Sequence, residues 1–284
     1  MLKNLYKKIF YYKKNLAVIF KRHFLGNYVK GFFLDTKYGL FIVDIEDLGV
    51  GGALIKDGEY GGEEISRIKN LITKEANVLF VGAHVGALVI PISQYVKSVT
   101  AVEANPKTFE LLRKNVLLND VSNVKLLNIG ANDKKSELDF VINRTNSGGS
   151  KRLPLIRSID YFYDDPDVVK INSDRLDDIL EEDFDLIVMD IEGSEYFALL
   201  GMKRILSKCK NLIIEFIPHH LKNVSGCTVA QLLNIIEIDF DYLYIPSRNL
   251  IINQPNFLKC LQDMYDKNQH DDGLIFSKSR YTLR

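Results

Sequence analysis

Apolar and polar positions fall in blocks along this chain, and the period changes from block to block. Over residues 2–24 the apolar positions Leu2, Leu5, Ile9, Tyr12, Leu16, Ile19 and Phe20 recur every three or four residues, with lysines between them. That spacing predicts an amphipathic helix. Residues 28–60 read differently. Phe32, Phe33 and Leu40 to Ile45 favour extended chain, and Gly49, Gly51, Gly52, Gly58, Gly61 and Gly62 punctuate the stretch after them. A small β-rich region closed by a turn is expected there, then a helix over 63–72.

From residue 77 short apolar runs alternate with helical periodicity. Strands are predicted at 77–81, 98–103, 123–129, 185–189 and 212–217, with late ones at 242–245 and 274–277. Helices are predicted at 86–96, 106–119, 174–180, 194–207 and 229–238. Residues 137–142 read as an extra strand and 143–150 as a polar loop. Strands alternating with helices imply parallel βαβ units, hence an α/β doubly wound sheet. Ligands of such sheets sit at the carboxyl ends of the strands, near the point where strand order reverses.

Composition narrows the class. The 284 residues are 46% hydrophobic and 26% charged, which suits a soluble globular protein and excludes a disordered, collagen-like or disulfide-framework chain. Apolar runs fall far short of the roughly 20 residues that span a bilayer. No N-terminal stretch pairs an apolar core with a small-residue cleavage site, so no cleaved secretory signal is expected. Zero net charge hides an asymmetry: residues 1–30 hold eight bases and no acid, leaving the remainder at −8. The body lacks a basic stripe, so nucleic acid is not an expected partner. A contact with a polyanion or anionic membrane would fall to the first 30 residues, while the same apolar stripe could pack on the β-rich region or on a second subunit. Cys209, Cys227 and Cys260 are odd in number and lack a C-x-x-C spacing, which fits buried small hydrophobes in a reducing compartment. The expected location is cytoplasmic, with peripheral contact at the inner face of the membrane as its variant.

Candidate chemistry gathers at the predicted strand ends. The first ends in F-V-G-A-H-V-G-A, where Gly82, Ala83, His84 and Gly86 form a tight strand-to-helix turn. Glycine permits close backbone approach to a ligand, and a helix start offers free N–H groups. The G-x-x-x-G spacing is neither the dinucleotide fingerprint nor a P-loop, which counts against a dehydrogenase. The second strand ends in V-E-A-N-P, placing Glu103 and Ala104 there, and Glu103 follows Gly82 by 21 residues. An acid at that position can accept from both hydroxyls of a ribose. After the third strand, Asn132 and Asp133 are candidates for recognising adenine. The fourth ends in M-D-I-E-G-S-E, which brings Asp190, Glu192 and Glu195 to the crevice. Acids also suit a helix N-terminus, which accounts for Glu195 better than for Asp190.

With these pieces in order, the chain resembles the FkbM family of S-adenosylmethionine-dependent methyltransferases. The resemblance rests on Phe80 to Gly86, Glu103-Ala104-Asn105-Pro106, Ala131-Asn132-Asp133, Asp174 to Asp177, Met189 to Glu195 with Leu200-Gly201, and Ile214-Glu215. Gly58 to Glu64 resembles the segment that precedes them in the family, and coverage is roughly residues 55–220. It implies a Rossmann-like class I methyltransferase sheet and S-adenosylmethionine as cofactor. The implied reaction is methyl transfer to a hydroxyl of a sugar, glycan or related metabolite. The organisation then reads as a basic helix over 1–30, a β-rich region and helix over 31–75, and a cofactor-binding domain over 76–284 with an acceptor lid near 143–173.

The sequence departs from the family pattern at two positions: Phe80 replaces its first acid and His84 its asparagine. A catalytically inactive cofactor-binding or scaffolding homologue is therefore the second reading. For an active enzyme, Asp190 is the first candidate base and His219 the second, because a hydroxyl is a poor nucleophile until its proton is taken. Glu192, Glu215 and His220 are candidates for holding the acceptor. Asp190 with Glu192 or Glu215 could offer oxygen ligands to a divalent cation, but the sequence displays no dedicated metal set.

Overall fold

The computed structural model describes residues 2–280. Helix α1 (Leu2–Leu25) forms as its periodicity predicts, and the hairpin β1 (Gly31–Thr36) and β2 (Gly39–Asp44) comes after it. Residues 50–57, expected as a turn, form helix α2 (Val50–Asp57). Its glycines obscure it in the sequence. The structure compensates through Asp47, whose carboxylate accepts from Gly49 N–H at 2.9 Å and Gly51 N–H at 2.8 Å. Helix α3 (Gly62–Leu71) comes next.

The central sheet then builds. Its parallel strands are β3 (Asn77–Val81), β4 (Ser98–Val102) and β5 (Val124–Leu127), later joined by two more. Between them lie α4 (Val89–Ser93) and α5 (Pro106–Leu118). Helix α4 is shorter than predicted, because Gly86 takes φ +90° and removes the first expected turn.

After β5 the chain makes a second, four-stranded sheet from β6 (Gly130–Ala131), β7 (Ser136–Ile142), β8 (Lys151–Arg152) and β9 (Asp167–Asp174), in the order β6-β9-β7-β8. Nine of the 31 residues of the expected lid, 143–173, are thus strand. Helix α6 (Leu176–Ile179) leads into β10 (Leu186–Met189). The single helix predicted at 194–207 is two, α7 (Glu195–Leu200) and α8 (Lys203–Lys208). They part at Gly201, where a Cβ would stand 1.9 Å from the Asn132 carbonyl oxygen. Strand β11 (Asn211–Phe216), α9 (Pro218–His220), α10 (Val229–Ile236) and β12 (Tyr242–Ile245) are next in the chain. Strand β13 (Leu250–Asn253) and α11 (Phe257–Asp266), which the periodicity did not reveal, precede β14 (Asp271–Ser277).

The central sheet runs β13-β12-β14-β11-β10-β3-β4-β5, with β14 antiparallel to its neighbours. This is the expected Rossmann-like doubly wound arrangement. Its inner strands are buried on both faces. Leu79 and Val81 face one core with Ile187, Met189 and Leu212, and Val78 and Phe80 face another with Ile65, Val99 and Val188. Continuous apolar strands are what two helical layers demand. Strand order reverses between β3 and β10, so the crevice opens at their carboxyl ends.

Candidate active site

A cavity of about 610 Å³ lies at that reversal. Its floor is the turn after β3. Gly82 has φ +93°, and a Cβ there would fall 1.8 Å from the Asp190 carbonyl oxygen, so only glycine lets β3 pass β10 this closely. The N–H groups of Gly82 and Ala83 both donate to the Val102 carbonyl, at 2.9 and 3.0 Å. At Gly86 a Cβ would meet Leu112 at 2.8 Å.

Glu103 stands beside this turn, buried, with both oxygens oriented. Oε2 accepts from His84 N–H at 2.8 Å and Oε1 from Asn105 N–H at 2.7 Å. Burial pushes its pKa up to about 7, against the lowering effect of these N–H groups. Each oxygen retains a lone pair. His84 itself takes φ 50°, and its Nε2 lies 2.7 Å from Ser147 Oγ, tying the turn to the overlying loop. Burial lowers the His84 pKa, against the raising effect of Asp47 and Glu192.

Ala104, Ala131, Leu138, Phe140 and Ile171, largely from the second sheet, give the cavity an apolar wall. Arg152 also lines it, its guanidinium carbon 3.9 Å from the Phe197 ring centroid. Asn132 and Asp133, expected here, do not line the cavity. Pairing of β6 with β9 turns the chain away. The Asn132 amide is buried and donates to Lys134 O at 3.0 Å and to the Ser136 and Ser173 hydroxyls at 3.2 Å, so it holds a turn.

The opposite end is acidic. Asp190, Glu192 and Glu215 line it with Glu64 and Tyr60 from the α3 side. Asp190 is open to the cavity but enclosed by protein. Its pKa is raised well above the carboxylate range by burial first, then by Glu192, Glu195 and Glu64. Burial likewise raises Glu215, and Asp190 and Glu192 add to it. Burial takes Glu64 to about 7. Phe80, where the family carries an acid, is 2% exposed and packs in the core beneath this end. Glu64 therefore brings a carboxylate to the same cavity from another element. Glu195 serves the loop: its Oε1 accepts from Ile191 N–H at 3.1 Å and Gly193 N–H at 3.2 Å.

A second cavity of about 360 Å³ adjoins the first, and Glu192 and Asn146 line both. Its walls come from distant segments: Lys7, Phe10, Tyr11 and Lys14 of α1, the loop from Asn143 to Lys151, Asp160, Tyr161 and Tyr163, Glu192, and the turn at His219-His220. His219 lines only this cavity, apart from Asp190, and its Nδ1 lies 3.0 Å from Tyr161 Oη. His220 is buried, with Nε2 3.4 Å from Glu192 Oε2 and Nδ1 3.5 Å from Glu215 Oε2. Burial, then Lys151, pushes its pKa down to about 2, so it is neutral.

Lys151, which no motif flagged, sits at this junction with 5% of its side chain exposed and Nζ 2.7 Å from Glu192 Oε2. Its only sequence signal is its position directly after a glycine-rich loop. Glu192, Glu215 and His220 present ligand atoms within 4.8 Å of one another. The Lys151 ammonium already supplies positive charge to that set. The overlying loop is latched by Asp164, which accepts from Asn143 Nδ2 at 2.9 Å, Arg144 N–H at 2.7 Å and Thr145 N–H at 2.8 Å.

Comparison with known proteins places this geometry. A family profile described as the methyltransferase FkbM domain matches residues 81–245, more than half of the chain. Among solved structures, the methyltransferase FkbM from Methylobacillus flagellatus KT is similar at 19% identity and a TM-score of 0.42, covering 72% of this chain. This chain spans only 44% of that protein's length. M. jannaschii TYW2 in complex with AdoMet is similar at 14% identity and TM-score 0.47, over 89% of this chain and 87% of that one. An rRNA methylase from Streptococcus thermophilus gives 13% and 0.43, over 77% and 95%. No curated protein sequence matches. The glycine turn, the strand-end acids and the profile that spans them agree: this chain belongs to the FkbM family of methyltransferases.

Proposed function

We propose that the protein is an S-adenosylmethionine-dependent O-methyltransferase that acts on a hydroxyl of a sugar, glycan or related metabolite. One observation carries the reading: a single cavity joins a ribose-type end at Glu103 to an acid-lined end at Asp190, Glu64 and Glu215. S-adenosylmethionine has matching halves, a ribose with two hydroxyls and a cationic sulfonium and ammonium. Carboxylates that repel one another in a buried site gain most from a cationic ligand. The apolar wall of Leu138, Phe140 and Ile171 suits the adenine ring.

When bound, the cofactor supplies an electrophilic methyl group. The protein's part is to hold the acceptor oxygen in line with it and to take its proton. Asp190, at the strand end and open to the cavity, is the assigned base by its position, since it lines the cavity next to Glu192, which borders the acceptor site. The second cavity is the assigned acceptor site. Phe10, Tyr11, Tyr161 and Tyr163 offer aromatic faces beside polar Asn143, Asn146 and Asp160. That mixture favours a ring bearing hydroxyls.

Titration calorimetry tests the cofactor half. S-adenosylmethionine and its demethylated product are expected to bind with micromolar affinity, about −8 kcal/mol. Glu103→Ala should weaken both by about 1.5–3 kcal/mol, the worth of hydrogen bonds to a charged group. Absence of binding, or an unaffected Glu103→Ala, overturns the site. Methyl-labelled cofactor with a panel of glycosides tests the acceptor half. Label recovered as methyl ethers supports it, and label found only on amines or nucleic acid rejects it.

A further inference from the structure

Helix α1 has two faces that the structure separates. One is fastened to the body. Tyr11 stacks on Tyr163 at 4.2 Å, Asn15 donates to the Tyr163 carbonyl at 3.0 Å, Val18 is buried, and Arg22 pairs with Glu46. The opposite face carries the apolar stripe seen in the sequence, and it lies in solvent. Ile9 is 47% exposed, Tyr12 64%, Ile19 60%, Phe20 61% and Phe24 78%. The side chains of Leu2 and Leu5 lie outside the described residues. The expectation that this stripe packs on the chain's own β-rich region is therefore overturned. That region contacts the polar face, where Lys21 Nζ donates to the Ile45 carbonyl at 3.2 Å.

We infer that α1 seats this stripe in the surface of an anionic lipid bilayer. The helix supplies both terms such seating needs, an exposed apolar face and seven bases with no acid. Charge selects the lipid over a second copy of the chain. Two such helices face to face would bring fourteen bases together, of which Lys7 and Arg22 on each have the acid partners Asp160 and Glu46, whereas anionic headgroups complement the rest. Lysine stems also lie along apolar surface with their ammonium groups in the headgroup layer. Among the described residues no helix is long and apolar enough to cross a membrane, so the contact is peripheral. Since the fastened side of α1 also walls the second cavity, seating would bring that cavity to the headgroups, where a lipid-borne acceptor arrives. This last consequence rests on the proposed acceptor site; the membrane contact does not.

The test uses the full chain without cofactor or acceptor, so its failure is separable from that of the proposed reaction. Vesicles of phosphatidylcholine with one quarter phosphatidylglycerol should co-sediment the protein at least tenfold more strongly than phosphatidylcholine alone, and 0.5 M salt should abolish the difference. The paired substitution Ile19→Asp and Phe20→Asp, at exposed positions, should remove binding while circular dichroism and melting stay unchanged. The chain has no tryptophan, so Phe20→Trp adds a single reporter. Its emission should shift blue and be quenched by brominated lipid. Equal pelleting with both vesicle types, or binding without quenching, overturns the inference. So does a wild-type dimer that the paired substitution turns into monomer with no vesicle binding, which would make the stripe a protein–protein seam.

Discussion

The two cavities meet at Glu192 but are built in opposite ways. The first rests on the ends of neighbouring parallel strands. Gly82, Glu103 and Asp190 are placed by sheet register, and backbone N–H groups hold Glu103 in position. The second is assembled from α1, the loop around Tyr161 and the turn at His219, joined by side chains far apart in sequence. A site on rigid strand ends serves a ligand shared across a family. A site made of loops and a peripheral helix can change with the acceptor while the sheet stays intact.

Lys151 joins the two, and breaking it should have the largest effect. Lys151→Met leaves Glu192 without its buried partner, so denaturant unfolding should show a loss of about 3–5 kcal/mol. A loss below 1 kcal/mol would show that the junction is not held by this pair. Asp190→Asn should lower turnover about 10²-fold. Binding of the demethylated cofactor should stay within a few-fold by calorimetry. Near-normal turnover in the folded variant, with His219→Ala inactive, would move the base to the second cavity.

Protonation separates the cavities more gently. Burial raises Glu64 and Glu103 of the first, and Glu195 beneath the loop after β10, from 4.5 to about 7. A carboxyl raised on folding contributes its full stability below about pH 4.5 and loses it as pH rises towards 7. The melting temperature of the ligand-free protein should therefore fall across that window. A cationic ligand favours the ionised acids, so S-adenosylmethionine should bind more tightly as pH rises from 5 to 8, and the uncharged thioether product less so. An affinity for S-adenosylmethionine that falls with pH would contradict the acid-lined end. The smallest effect should come from the rim of the second cavity. Lys7 and Asp160 are 48% and 30% exposed, so Lys7→Ala should cost at most about 1 kcal/mol by melting. Its imprint should be a raised acceptor KM with kcat unchanged.

Legibility in the sequence divides along the same line. The apolar strands, their alternation with helices, the glycine turn, Glu103 and Asp190 all stand in the linear pattern. Each is set by local backbone needs: a strand buried on both faces must be apolar, and a turn where a Cβ would fall 1.8 Å from the Asp190 carbonyl oxygen must be glycine. The periodicity also marks α1 as amphipathic. It cannot say which face meets the protein, because that depends on Glu46, Asp160 and Tyr163 elsewhere in the chain. The same holds for the hairpin β1–β2. It is pinned to α5 by Asn115 and Asn119, whose amides pair with the backbone of Ile42 and Leu40. It holds again for Lys151 and Arg152, whose partners lie in the loop after β10 and in α7. That Asn132 and Asp133 do not line the cavity has the same reason, since the strand just before them pairs with β9, about forty residues on. Local backbone geometry leaves a periodic signature in the sequence; partners across long stretches of chain leave none, and only folding brings them together.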